Sequence, residues 1–74
     1  MTNEQVRYEE AKAAAIRAMV ARENLTWTEV ARRMGVSKSA VSRWNSLGWP
    51  DSRVSALLKA IGKTPADLGS EMGV

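Results

Sequence analysis

TWTEVARRMGVSKSAVSRWN, residues 26–45, carries the punctuation of two short helices and the turn that joins them. Thr26-x-x-Glu29 has the form of a capping box, in which a hydroxyl and a carboxylate satisfy the free N–H groups of a helix start. The helix so opened is short, because Gly35 follows Met34 and glycine accepts the left-handed backbone that ends a helix. After Val36, Ser37 is placed to cap a second helix over about 38–46. Ala31 is small where this second helix must lie across the first, and Val36 plugs the angle from inside. Val30, Met34, Val41 and Trp44 point to a common core. Small residue, turn and apolar set occur at the spacing that a helix-turn-helix over residues 26–46 requires.

Outward from this motif the chain reads as helix throughout. Thr2-x-x-Gln5 resembles another capping box, and an Ala-, Glu-, Arg- and Lys-rich stretch runs from it to about Glu23. Val6, Ala13, Ile16 and Val20 recur on one side with Met19 adjacent, which predicts one long amphipathic helix. Its early turns extend beyond the core, and Asn24 is its stop. On the other side, Gly48 and Pro50 break the second motif helix, and Trp49 before Pro50 covers the gap to the next. A fourth helix over about 51–61 buries Val54, Leu57, Leu58 and Ile61 and ends at Gly62. Thr64-Pro65-Ala66-Asp67 starts a fifth. It is expected to be short and frayed by Gly69, with residues 70–74 as a loose tail. The expectation is one all-α, five-helix domain over residues 1–74.

Length and composition narrow the function. A chain of 74 residues supports one modest core and no large cleft. It has no cysteine and no histidine, so disulfides and the usual zinc ligand sets are excluded. No P-loop or catalytic cluster is present, so an enzyme is not expected, nor a cofactor, metal or small-molecule ligand. The apolar runs are only a few residues long, too short for a membrane span or signal-peptide core, which makes the cytoplasm the default location.

The net charge of +3 hides an asymmetry. Residues 1–29 carry −1 and residues 64–74 carry −2, whereas Arg32, Arg33, Lys38, Arg43, Arg53, Lys59 and Lys63 against Asp51 alone give residues 30–63 a charge of +6. With Val41 and Trp44 facing inward, Ser39, Ser42, Arg43 and Ser46 form a polar stripe at i, i+3, i+4 and i+7 on the opposite face of the second motif helix. Lys38 sits beside it at the helix start. A basic segment with a polar stripe of this kind fits double-stranded DNA.

Residues 26–45 resemble the Cro/CI-type (Xre-like) helix-turn-helix family, and the likeness runs from roughly Ile16 to Leu68. The small residue, the glycine four positions later and the apolar set all match. The resemblance implies a compact five-helix, lambda-repressor-like DNA-binding domain whose third helix enters the major groove. Lys38, Ser39, Ser42 and Arg43 match the family's base-facing positions; Arg43 and Lys38 can reach guanine O6 and N7, and the serines accept several bases. Thr26 and Thr28, at the N-terminus of the preceding helix, together with Arg32, Arg33, Ser46 and Arg53, suit phosphates. Trp27 stands where the family often has glutamine and offers one indole N–H in its place. Lys59 and Lys63 are read as solubilising charges. Trp49-Pro50 resembles the Ner-like branch of phage negative regulators.

The implied function is a sequence-specific transcriptional regulator of phage or prophage type, a repressor that blocks a promoter as a homodimer on a palindromic operator. Half-sites would then lie about 34 Å apart. The first helix and Leu47, Leu68, Met72 and Val74 are candidate dimer surfaces. An antitoxin, an excisionase-like factor or a small terminase-type subunit on the same fold is a second reading. A protein-interaction module that has lost DNA binding is a third.

Overall fold

The computed structural model describes residues 2–73, and among these it has five α-helices and no strand: α1 Asn3–Arg22, α2 Trp27–Met34, α3 Lys38–Leu47, α4 Asp51–Ala60 and α5 Pro65–Met72. Four of the helices begin where a side chain caps them, while α4 starts after Pro50 without one. Thr2 and Gln5 exchange backbone and side-chain hydrogen bonds in a full capping box, as do Thr64 and Asp67. Ser37 Oγ accepts from the Ala40 N–H at 3.1 Å. At α2 only half of the expected box forms. Thr26 Oγ1 accepts from the Glu29 N–H, but the Glu29 carboxylate is taken by two arginines on its own helix. Charge-assisted bonds to guanidinium outcompete a neutral backbone donor.

The helices also stop where the backbone turns left-handed. Asn24 ends α1 at φ 56°, as its side chain permits, and Gly35 ends α2 at φ 72°. The N–H groups of Gly35 and Val36 then close back onto the carbonyls of Arg32 and Ala31. Gly48 lies at φ 114° and ψ 146°, a region open essentially to glycine alone, and there the chain leaves α3.

Packing joins α1 to α5, and α2 to both α3 and α4. The core draws one fully buried side chain from each of the first four helices: Ile16, Val30, Val41 and Leu57. Trp49, from the turn between α3 and α4, is the fifth and largest. It is more than a cover for the gap between helices. Its ring lies 5.2 Å from Trp44 and 6.3 Å from Trp27, so three indoles join α2, α3 and the turn. Its Nε1 donates to Asn45 Oδ1 at 3.0 Å.

A buried cation holds the same turn from the other side. Lys12 is 2% exposed, yet its ammonium donates to the Trp49 carbonyl at 2.9 Å, to Glu9 Oε1 at 3.0 Å and to Asp51 Oδ1 at 3.4 Å. Three donors meet three acceptors, so the burial is fully compensated. Burial alone lowers the Lys12 pKa, but Glu9 and Asp51 outweigh it and hold the group above its ordinary value.

Val6 is 39% exposed, because the first turns of α1 overhang the domain. The helix of 20 residues runs about 30 Å, against a longest molecular extent of 33 Å. Residues 70–72 are helical, so the expected loose tail is the end of α5. Leu68 is buried, Met72 packs on the core, and Arg22 of α1 holds Glu71 through two hydrogen bonds of 2.6 and 2.7 Å. These contacts override the helix-weakening effect of Gly69. They also remove Leu68 from the candidate dimer surfaces, while Val74 lies outside the described residues.

Candidate nucleic-acid interface

The face of α3 opposite Val41 is open. Lys38, Ser39, Ser42, Arg43 and Ser46 are all exposed, whereas Val41 is completely buried and Trp44 half-buried. The helical period therefore does what the spacing requires, setting the core on one side and a polar stripe on the other. Ser37 and Gly35 fix where that stripe starts, and Gly48 fixes where it ends. Within α3 the stripe turns gradually away from its start. Ser46 lies at the far end, lining a shallow groove with Glu9, Glu10, Ala13 and Arg17 of α1. It is thus separated from Lys38 by the length of the helix.

Ion pairing sorts the cations more sharply than their positions do. Lys12 is held by Glu9 and Asp51, Arg22 by Glu71, and Lys63 by Glu23 at 2.8 Å. Glu29 binds Arg32 through both carboxylate oxygens and Arg33 Nε at 3.1 Å. Those two guanidinium groups push the Glu29 carboxyl down to about 2, and the pairing leaves one net positive charge where the sequence shows two. Arg33 also donates to the Ala60 carbonyl at 3.4 Å, which ties α2 to α4. Among the described residues, Lys38, Arg43 and Arg53 make no ion pair, nor do Arg7 and Arg17 of α1 or Lys59 of α4. The two cations of α3 and the one at the start of α4 are left open to an external anion.

Arg53 has a neighbour on another helix. Its guanidinium carbon sits 5.4 Å from the centroid of the Trp44 ring, so Trp44 packs against Trp49 on the inside and carries a cation on the outside. The contact holds Arg53 of α4 beside α3. It depends on how two helices pack, and no local spacing announces it. Lys12 did carry a signal: it lies one turn before Ile16 and two before Met19, on the apolar side of α1.

At the start of α2 the N–H groups of Trp27 and Thr28 precede the first intrahelical bonds, with Thr26 Oγ1 already used as the cap. Trp27 is half-buried against the core, and its indole N–H makes no hydrogen bond among the described residues. Among the described residues no buried side-chain polar atom lacks a partner, so that N–H reaches the surface. Trp27 and Thr28 thus keep three backbone or indole donors at one helix end, beside the Thr26 cap. Lys59 lies apart, in a groove with Arg33, Met34, Ala56 and Ala60.

The arrangement is one of display. A short helix presents hydroxyl, ammonium and guanidinium groups outward, supported by a second helix locked behind it at a glycine turn. No helix among the described residues is long and apolar enough to cross a membrane. No curated protein and no solved structure gives a match to the chain. The model of the homeodomain-like domain does match, over residues 7–48. That segment is α1 from its overhang onward, α2, the Gly35 turn and all of α3, with the polar helix third in order, as in a three-helix reader of DNA. Since the match spans more than half of the 74 residues, the chain belongs to the homeodomain-like helix-turn-helix family.

Proposed function

We propose that this protein is a sequence-specific, double-stranded DNA-binding transcriptional regulator, a repressor that occludes a promoter with α3 in the major groove. The observation that carries the proposal is the pair of cations without an ion pair, Lys38 and Arg43, on the exposed polar stripe of α3, opposite the buried Val41. Lys38, Ser39, Ser42 and Arg43 take the base edges, with Arg43 forked onto guanine O6 and N7. Arg53, steadied by Trp44, and the free donors of Trp27 and Thr28 beside Thr26 take phosphates on either side of the groove, with Ser46 at its far end. Arg32 and Arg33 contribute to the same backbone only in so far as phosphate displaces Glu29.

The two helices beyond the matched segment support the narrower assignment to a Cro/CI-type repressor, because α4 supplies Arg53 and α5 closes the core beneath α1. Titrating a labelled duplex with the protein over a range of salt tests the electrostatic part. About three to five phosphate neutralisations give a log–log slope of about −3 to −5. A flat response removes the DNA reading altogether.

A further inference from the structure

Lys12 puts an ammonium group where packing asks for none. It is buried on the apolar side of α1, and a methionine of similar length would fill the space without desolvating a charge. What the ammonium adds is a set of directed donors. Two of them reach the turn that joins α3 to α4, at the Trp49 carbonyl and Asp51 Oδ1, while Glu9 Oε1 holds the group from its own helix. The other oxygen of Glu9 lies against Gly48, where an added Cβ would stand 3.4 Å from it. Glu9 and Lys12 thus tie α1 to residues 48–51, the path out of α3 and into α4.

That turn governs two groups at the candidate interface. Trp49 packs against Trp44, whose ring carries the Arg53 guanidinium, so the course of the chain at Trp49 sets where this cation stands beside α3. Asp51 lies two residues before Arg53 and is the one acidic residue of residues 30–63. Its side chain is 91% exposed, and without a counter-charge it would repel a phosphate approaching Arg53.

We propose that Lys12 is a positioning residue for phosphate contact: buried away from DNA, it fixes the turn that seats Arg53 and neutralises Asp51 beside it. The base-reading side chains stand on the exposed stripe of α3, so Lys12 governs the strength of backbone contact and leaves base preference alone. The consequence for DNA rests on the reading proposed above, whereas the seating of Arg53 is tested without DNA.

Lys12→Met removes the ammonium and strands no charge in the core, because the Glu9 and Asp51 side chains keep 36% and 91% exposure to water. In NMR spectra of the free native protein, ring current from Trp44 should shift the Arg53 side-chain protons upfield. In K12M these signals should move toward ordinary values, whereas K59M, the same change at a cation of α4 away from the turn, should leave them in place.

On random duplex, K12M should bind about tenfold more weakly than the native protein, with a salt slope shallower by about 1. R53A should cost the native protein a similar factor but add little to K12M, and D51N should return part of what K12M loses. A merely structural role for Lys12 would produce neither result. Lys12→Gln, which keeps a donor for the Trp49 carbonyl but no charge, serves the same measurements if circular dichroism shows K12M unfolded. Native affinity and slope in K12M, an unmoved Arg53 signal, or fully additive losses with R53A would each overturn the proposal. A native protein without salt-dependent binding would instead remove the DNA reading and the role in phosphate contact together, with the Arg53 signal still deciding whether Lys12 seats that side chain.

Discussion

At the scale of single residues, pairing decides which charges act outward. Arg32 and Arg33 share Glu29, whereas Lys38, Arg43 and Arg53 share nothing with a carboxylate. The sequence places all five in one basic segment and cannot separate them, because an exposed guanidinium picks its partner only once the helices are set. Glu29 is the revealing case. Its capping role was legible from Thr26-x-x-Glu29, but its position also puts it three and four residues before two arginines, and those stronger bonds take the carboxylate. Replacing Glu29 with glutamine should therefore release both arginines toward phosphate. Binding to random duplex should tighten, and the slope of log affinity against log salt should steepen by about 1–2. An unchanged slope would place Arg32 and Arg33 away from the DNA backbone.

At the scale of elements, local signals were read well wherever a cap or a left-handed residue fixes the boundary. Thr2, Thr26, Ser37 and Thr64 open helices, and Asn24, Gly35 and Gly48 close them, all within a few residues of the signal. The reading failed where distant packing outweighs local preference, as at α5, which continues past Gly69 on the strength of Met72 and the Arg22–Glu71 contact. Lys12 is likewise held by distant groups, the Trp49 carbonyl and Asp51, 37 and 39 residues away. The turn between α2 and α3 is the element on which display of the stripe depends. A Cβ at Gly35 meets nothing within 4 Å, so the cost of Gly35→Ala is the left-handed backbone alone. Urea denaturation should show a loss of about 1–2 kcal/mol. A loss near zero would mean that the turn relaxes to another conformation.

At the scale of the whole molecule, ionisable groups act at the two ends of the pH range and leave the middle flat. Glu29 is lowered from 4.5 to about 2 and Asp67 is lowered by its Thr64 hydrogen bonds. A depressed carboxylate stabilises the fold above its unfolded value, and that share is lost as pH falls from about 4.5 toward 2. Lys12 and Lys63 are raised above 10.5, so their share is complete below that value and lost only above it. With no histidine in the chain, thermal melts should give a constant midpoint between about pH 6 and 9. A midpoint that moves by several degrees inside that window would contradict these assignments.

The central claim concerns α3, and one measurement reaches it directly. Binding-site selection from random duplex DNA, run in parallel on the native protein and on Arg43→Ala, reads both affinity and base preference. The native protein should enrich one consensus containing a guanine that Arg43 reads, and the variant should lose preference at that position, by about 1–3 kcal/mol, while still binding duplex. A native pool that enriches no sequence, or a variant that enriches the same consensus as the native protein, would contradict the account.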